Sequence, residues 1–485
     1  MRGVSFFQDL LTSLFERGDQ PDHVNDSRTL VEICEALLSE RGEVSGHLLA
    51  SAALDRFESL DEQGRQQFFE FLSERLDVDP RAVVAAASLY EQDASGAHYR
   101  GLMASADPKR QKLLRRLNSA PGATARLVAM REHLLEVLPS NAGFVRTDMD
   151  FQHLFASWFN RGFLVMRHID WQSPASLLEK IIAYEAVHEI DDWDDLRRRL
   201  QPADRRCFAF FHPVMPDEPL IFVEVALTVG IPDSIGEVLT DSRQPIDPLK
   251  ADTAVFYSIS NCQQGLKGVS FGNFLIKQVA QELAEECPQL KSFVTLSPAP
   301  GLMRWVDRVL DGRKPNEAGA DTLKPFNTEK AVVTDQAHPA PLANAELSPT
   351  IDPAALERLQ AIAGGADLPD DANGQKDLLA CVSQYYCQVR RKDSMPIDPV
   401  ARFHLGNGAS LDRILLAADE SPKGRQQSAG VMVNYRYEIA EIENRHQKYV
   451  SSGEVHVSKA VRGLLDHAAK SARSRKASVG EASES

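Results

Sequence analysis

The sequence predicts an α+β protein in which an all-helical domain precedes a domain built from both strands and helices. At 485 residues the chain is too long for one ordinary hydrophobic core, so two domains are expected. Apolar residues recur at helical spacing in the N-terminal part, whereas short apolar strands and amphipathic helices follow it. We therefore expect a helical domain at 1–175, a second domain at 176–467 and a disordered polar tail at 468–485.

Helical signals run almost without interruption from residue 5 to about residue 183. One apolar stripe, with spacings of three and four, consists of Phe68, Phe69, Leu72 and Leu76. The dipeptide Asp79-Pro80 supplies a helix N-cap followed by a proline in the first turn, where the missing N–H costs nothing. The predicted role of this domain is packing, oligomer contacts or support of the second domain.

The second domain begins with two short apolar strands and continues with further strand candidates. Each candidate is rich in β-branched or aromatic residues and is bounded by turn residues. The predicted strands are 207–211, 220–227, 253–259, 292–296 and 430–437. Helical patterns return at 353–363 and 375–389, and the composition of 311–350 predicts a mobile insertion or a long surface loop.

Composition limits the classes of function. The net charge of −15 and the pI of about 5.4 argue against a general nucleic-acid binder, so we expect no DNA or RNA partner. Six cysteines without CxxC spacing indicate neither a zinc site nor a disulfide scaffold, and they fit a reducing compartment. Because no apolar run is long enough to cross a membrane and the N-terminus lacks a signal-peptide pattern, we expect a cytoplasmic protein.

The strand at 253–259 leads into a glycine-rich turn and then an amphipathic helix, which suits binding of a phosphate. Gly265, Gly268 and Gly272 allow positive φ angles and close approach, and the helix start presents free N–H groups at its positive dipole end. Packing needs alone explain such glycines equally well. Neither GxxxxGKS/T nor GxGxxG is present, which disfavours nucleoside triphosphate hydrolysis and dinucleotide redox chemistry. The diphosphate of coenzyme A is the remaining physical candidate. Lys267 either adds positive charge there or is an ordinary solvated lysine.

Two further segments contain candidate catalytic side chains. Ser297 lies in LSPAPG at the end of a predicted strand, the edge at which open sheets usually bind ligands. His404 lies in ARFHLGNGA between two apolar residues, where a hydrogen-bonded core histidine is the commoner role. A long stretch of chain separates the two residues, so the sequence alone does not show that they meet.

Four segments, in order, resemble the malonyl-CoA decarboxylase family: FYSISNCQQGLKGVSFGNFLIK, TLSPAPG, ARFHLGNGA and VMVNYRY. The resemblance runs from about Trp171 to Tyr437, and the preceding helices fit the helical N-terminal domain of that family. It implies a catalytic domain with the GNAT acetyltransferase fold and a homo-oligomer, either a tetramer or a dimer. It also implies conversion of malonyl-CoA to acetyl-CoA and carbon dioxide without a metal or an added organic cofactor.

The same resemblance assigns site residues. It places the CoA diphosphate on Lys267, Gly268, Val269, Ser270, Phe271, Gly272 and Asn273. It makes Ser297 and His404 catalytic, with Tyr437 as a supporting hydroxyl. We expect His404 to stabilise the enolate and donate the proton, and Ser297 to orient the malonyl group or relay the proton, with the two roles exchangeable. The alternatives are an acyl-CoA-dependent acyltransferase on the same fold and a non-catalytic CoA-binding scaffold.

Overall fold

A computed structural model of the chain describes residues 27–39, 42–269, 275–312, 351–391 and 393–483. The chain divides into two compact units, of which the first is Met1–Leu127 with His133–Phe151 and the second is Val128–Glu132 with Gln152–Ser485. Two sets of predictions lie outside the described residues. They are residues 313–350 of the predicted insertion and, in the predicted CoA site, Ser270, Phe271, Gly272 and Asn273.

The described part of the first unit is built from helices, as predicted. Its helices are α1 (Leu30–Ser39), α2 (Glu43–Glu58), α3 (Glu62–Glu70), α4 (Pro80–Gln92), α5 (Gly96–Ala106), α6 (Lys109–Leu117), most of α7 (Ala123–Val137) and the first half of α8 (Val145–Trp158). The Asp79 side chain accepts a hydrogen bond from Arg81 N–H at the start of α4, which confirms the predicted cap. The predicted apolar stripe is buried, and the Phe68 ring lies 5.4 Å from the ring of Phe57.

The second unit contains a mixed eight-stranded sheet. Its strands are β1 (Val165–Ile169), β2 (Arg205–His212), β3 (Met215–Thr228), β4 (Thr253–Asn261), β5 (Ser292–Thr295), β6 (Ser297–Pro298), β7 (Ser410–Leu415) and β8 (Met432–Arg436). The strand order is β1-β2-β3-β4-β5-β8-β6, and β7 also pairs with β8. Neighbours run antiparallel except β4 and β5, which are parallel. All five predicted strands are present.

The second unit also contains the remaining helices. They are α9 (Ala175–Tyr184), α10 (Trp193–Leu200), α11 (Ile235–Leu239), α12 (Leu275–Glu286), α13 (Leu302–Leu310), α14 (Pro353–Ala363), α15 (Ala372–Cys387), α16 (Pro399–Gly406), α17 (Pro422–Ser428), α18 (Ile442–Ser452) and α19 (Lys459–Ser483). Helix α12 lies in the crossover that joins the two parallel strands, the connection that a parallel pair requires. No helix in the described part of the chain is long and apolar enough to cross a membrane.

Strand β1 corrects the prediction that helices continue to residue 183. All five of its residues pair antiparallel with β2, from Val165 opposite Phe211 to Ile169 opposite Cys207. Strand formation here depends on a partner about 40 residues away in the sequence. Local periodicity carries no information about that partner, which is why the sequence alone predicted helix.

The predicted disorder at 468–485 is wrong through residue 483, because α19 extends to that point. The segment is rich in alanine, lysine and arginine, which are strong helix formers. His467 Nε2 lies 2.7 Å from Asp377 Oδ1 of α15, and an Arg475 guanidinium nitrogen lies 2.6 Å from an Asp352 carboxylate oxygen. Tertiary contacts therefore stabilise a helix that looks like a solvated tail in the sequence.

The two parallel strands pair over only four residues and then separate. The last pair is Phe256 opposite Thr295, after which β4 continues while β5 ends. Beside this point β4 contains an extra residue, Tyr257, which has no partner in the register with β3. The carboxyl ends of the parallel strands therefore diverge, at the position where open sheets bind ligands.

We predict that Gly408, just after α16, tolerates no side chain. Its φ is +82°, and an added Cβ would lie 2.2 Å from the Ile442 carbonyl oxygen. Gly408→Ala should therefore lower the free energy of unfolding by about 2 kcal/mol or more, measured by urea denaturation. The control is Gly463→Ala, because Gly463 lies in α19 with open space around its Cβ position. Gly463→Ala should raise the free energy of unfolding by about 0.5–1 kcal/mol. Equal stability of the two variants would contradict the prediction.

Candidate active site

A small pocket of about 40 Å³ lies where β4 and β5 diverge. Strand β4, strand β6, helix α16 and the segment after α9 contribute its walls. The lining residues are Val187, Phe256, Tyr257, Ile259, Ser297, Pro298, Val400, Phe403 and His404. Two of the three side chains predicted to be catalytic, Ser297 and His404, therefore line one pocket.

Ser297 and His404 form a hydrogen bond inside this pocket. The distance from Ser297 Oγ to His404 Nε2 is 3.0 Å, although 107 positions separate the two residues in the sequence. The other ring nitrogen, His404 Nδ1, lies 2.8 Å from the hydroxyl oxygen of Tyr437. The structure thus brings all three predicted residues into one chain of hydrogen bonds.

Helix α16 positions the histidine, and the sequence explains where this helix begins. The Asp398 side chain caps it by accepting a hydrogen bond from Ala401 N–H at 2.8 Å, and Pro399 occupies the first turn. The other carboxylate oxygen of Asp398 accepts a hydrogen bond from the Tyr385 hydroxyl at 3.0 Å. The cap is therefore held from two sides, which fixes the helix that carries His404.

The surroundings of His404 keep its imidazole neutral. The side chain is almost completely buried, and the Tyr435 ring stacks on it with centroids 4.5 Å apart. Burial lowers the pKa of His404 from 6.5 to about 3, because the charged form loses its hydration. Burial also raises the pKa of Tyr437 well above 10, so its hydroxyl keeps its proton.

Thr295 is part of this network, and the sequence analysis missed it. The Ser297 hydroxyl donates to Thr295 Oγ1 at 2.9 Å, and the Tyr435 backbone N–H donates to the same oxygen at 3.1 Å. With its single proton directed at Thr295, Ser297 Oγ accepts from His404 Nε2–H, and Nδ1 accepts from the Tyr437 hydroxyl. The alternation Thr-Leu-Ser on an extended chain is the sequence signal for Thr295, because residues i and i+2 share one face.

The described part of the predicted CoA turn combines two kinds of glycine. Gly268 has φ +79°, the left-handed conformation expected of a tight turn. Gly265 has no positive φ, but a Cβ added there would lie 1.9 Å from the Val128 carbonyl oxygen. Lys267 is exposed between them and Val269 is buried. Packing therefore explains Gly265, whereas the conformation of the turn explains Gly268.

Metal ligation was not predicted for this chain. Across the ranges that the structure describes, no cluster of three or more His, Cys, Asp or Glu side chains is placed to hold a metal ion. All six cysteines are free thiols, and five of them are buried. The absence of a metal or cofactor requirement stays a prediction.

Comparisons with known proteins bear on the whole chain. Residues 162–475 match the family model of the malonyl-CoA decarboxylase C-terminal domain, and residues 76–159 match that of the N-terminal domain. Malonyl-CoA decarboxylase, mitochondrial, from Anser anser anser is 34% identical over 73% of this chain and 69% of its own length. The rat protein of the same name is 33% identical over 74% of this chain and 71% of its own length.

Solved structures agree with these relatives. The crystal structure of malonyl-CoA decarboxylase from Rhodopseudomonas palustris has a TM-score of 0.77 and 44% identity, covering 90% of this chain and 98% of its own. The structure from Agrobacterium vitis has a TM-score of 0.75 and 45% identity, covering 90% and 99%. The family models together match most of the chain and the relatives are aligned over more than two thirds of it, so the chain belongs to the malonyl-CoA decarboxylase family.

Proposed function

We propose that this protein decarboxylates malonyl-CoA to acetyl-CoA and carbon dioxide. One observation carries the proposal within this family: Tyr437, His404 and Ser297 form a hydrogen-bonded chain that reaches the pocket where β4 and β5 diverge. The pocket lies where two parallel strands diverge, the usual position of ligands in open sheets, and both Ser297 and His404 line it.

The chemistry requires stabilisation of negative charge followed by one proton transfer. Breaking the bond between the α-carbon and the carboxylate leaves the electron pair on an enolate, whose charge spreads onto the thioester oxygen. Donors set toward that oxygen lower the barrier, typically by about 3–4 kcal/mol each. The α-carbon then takes up one proton, which solvent replaces, so the net reaction consumes one proton for each carbon dioxide released. No covalent bond to Ser297 is needed.

We assign these tasks to His404 and Ser297. His404 is neutral in the free protein and its Nε2–H donates to Ser297 Oγ, so it stabilises the enolate as a hydrogen-bond donor when the thioester oxygen takes the place of Ser297 Oγ at Nε2. The malonyl carboxylate brings negative charge next to the ring and raises the pKa of His404, which favours its service as the proton donor. Ser297 Oγ, which accepts from the imidazole, orients the malonyl group or relays that proton.

Further parts of the proposal concern binding and cellular context. We place the CoA diphosphate on Lys267, Gly268, Val269, Ser270, Phe271, Gly272 and Asn273, and we expect no metal or organic cofactor. A cytoplasmic location is our proposal, and the six free cysteine thiols fit a reducing compartment of that kind; a dimer or tetramer is expected from the family resemblance. No nucleic acid or membrane partner is expected.

Incubation with malonyl-CoA and no acceptor tests the reaction. Release of acetyl-CoA and carbon dioxide supports it, and absence of both contradicts it.

Removing either catalytic side chain should stop turnover without removing binding. Ser297→Ala and His404→Asn should each lower kcat about 100-fold or more, because transition-state donors or the proton relay are lost. The Kd for CoA, measured by calorimetry, should change less than about threefold. Ser451→Ala and His47→Asn serve as controls, since both residues are exposed. Turnover of a folded Ser297 or His404 variant at the control level would exclude that residue from the chemical step.

Thr295 should matter through the direction of the Ser297 hydroxyl. Thr295→Val keeps the shape but removes the oxygen that accepts the serine proton, so we expect kcat to fall about tenfold or more with little change in KM. Thr295→Ser retains an oxygen and should restore most of kcat. If the serine and valine variants had the same kcat, the hydroxyl of Thr295 would have no part in the reaction.

The buried neutral state of His404 should appear in the pH dependence of stability. Between pH 7 and pH 5 the unfolded chain protonates this histidine, whose unfolded pKa is about 6.5, while the folded chain does not. Stability from this group is therefore present near pH 7 and falls by about 2 kcal/mol at pH 5. We expect the stability difference between wild type and His404→Asn to change by that amount in urea denaturation. The difference for Ser451→Ala, which removes an exposed side chain that does not titrate in this range, should stay constant, and a pH-independent difference for His404→Asn would refute the neutral state.

A further inference from the structure

One buried arginine lies directly behind the predicted CoA turn. Arg131 belongs to α7, within the five residues Val128–Glu132 that group with the second unit. Its side chain is only 1% exposed. Nη1 donates to the Gly265 carbonyl oxygen at 2.8 Å and to the Lys267 carbonyl oxygen at 2.7 Å. A buried guanidinium is costly unless it is hydrogen-bonded, and Arg131 makes two of its hydrogen bonds to the turn.

The backbones of the same two segments are also in contact. A Cβ on Gly265 would lie 1.9 Å from the Val128 carbonyl oxygen and 2.9 Å from a Val128 methyl carbon. Val128 and Arg131 are three positions apart, so they lie on the same face of α7. The helix thus holds the turn at two points, by backbone packing at Gly265 and by hydrogen bonds on either side of Leu266.

The hydrogen bonds matter because carbonyl oxygens repel phosphate. A turn that binds a diphosphate has to direct its carbonyl oxygens away from the anion. Arg131 donates hydrogen bonds to two of these oxygens, those of Gly265 and Lys267. The residue between them, Leu266, belongs to a short 3-10 helix, Gln264–Leu266. The buried positive charge also makes the electrostatic potential of the turn more favourable to an anion. The hydrogen bond from Arg131 to the Lys267 carbonyl oxygen therefore orients the backbone of Lys267, one of the proposed diphosphate ligands.

We infer that Arg131 is a positioning residue for the CoA diphosphate, acting through the turn Gly265–Val269 without contacting the substrate. The inference rests on the proposed function, since it takes this turn as the anchor of malonyl-CoA. It assigns to α7 a part in substrate affinity that is separate from the chemistry at Ser297 and His404.

The test compares two substrates that differ in the diphosphate, which the turn is proposed to hold, and in the nucleotide attached to it. Malonyl-CoA carries the diphosphate and nucleotide, whereas malonyl-pantetheine ends before them. Arg131→Met should raise KM for malonyl-CoA about tenfold or more, with kcat within about twofold of wild type. KM for malonyl-pantetheine should not change. Arg131→Lys keeps the charge and one donor, so its KM for malonyl-CoA should lie between those of wild type and Arg131→Met.

The matched control is Arg126→Met on the same helix. Arg126 is partly exposed and pairs with Asp55 and Glu58 in the first unit, so its loss should leave KM for both substrates unchanged. Circular dichroism checks that each variant is folded. If Arg131→Met does not fold, the Arg131→Lys comparison carries the test. An equal rise in KM for both substrates, or no rise in KM for malonyl-CoA, would overturn the inference.

A separate measurement distinguishes failure of this inference from failure of the proposed function. Calorimetry with CoA itself needs no turnover. If wild type binds CoA but releases no carbon dioxide from malonyl-CoA, the proposed function falls, and the ratio of Kd values between Arg131→Met and wild type decides the role of Arg131. If wild type does not bind CoA, both proposals fall.

Discussion

A buried imidazole that needs a partner at each nitrogen is the constraint on which this part of the structure depends. His404 meets Ser297 on one side and Tyr437 on the other, while Tyr435 covers its face. A buried polar group without a partner costs about 1–3 kcal/mol, so α16, β6 and the end of β8 have to keep their relative positions. The same hydrogen bonds therefore fix the geometry of the candidate site and stabilise the elements around it.

Thr295 extends this requirement into the sheet. Its carbonyl oxygen accepts from the Asn434 side chain at 2.8 Å, and its hydroxyl oxygen accepts from Tyr435 N–H. These bonds tie β5 to β8 beside the point where β5 and β4 separate. Thr295, which orients the Ser297 hydroxyl, thus also joins β5 to β8 next to the pocket. A substitution that disturbs this junction changes both the strand pairing and the direction of the hydrogen bonds that lead to His404.

Local patterns predicted much of the fold. Strand periodicity identified five of the eight strands, and the pair Asp79-Pro80 marked the start of α4. Such patterns did not predict β1, whose conformation depends on pairing with β2, or the helix over 468–483, which depends on α15. In each case the deciding contact is distant in the sequence, and local propensity contains no record of it.

The candidate site shows the same division. The sequence marked Ser297 and His404 as candidates, and the family resemblance made both of them catalytic and added Tyr437. Their meeting is a product of the fold, because spacing in the chain does not specify it. The neutral imidazole was also not predictable, since it follows from burial of the ring and not from residue type. Thr295 had a local signal, two positions before Ser297, but only the hydrogen bond gives that position a chemical meaning.

The glycine turn shows why one motif can carry two unrelated constraints. Gly268 is needed because φ is positive there, which is a property of the turn itself. Gly265 is needed because Val128 lies against it, which is a property of the helix behind. Packing and anion binding were equal explanations in the sequence, and for Gly265 the described contact is packing. Yet Arg131 lies on the same face of α7 as Val128 and donates hydrogen bonds to two carbonyl oxygens of the turn. The helix that packs on Gly265 therefore also sets the orientation of the turn. Packing behind the turn therefore acts on the same peptide groups to which we assign diphosphate binding.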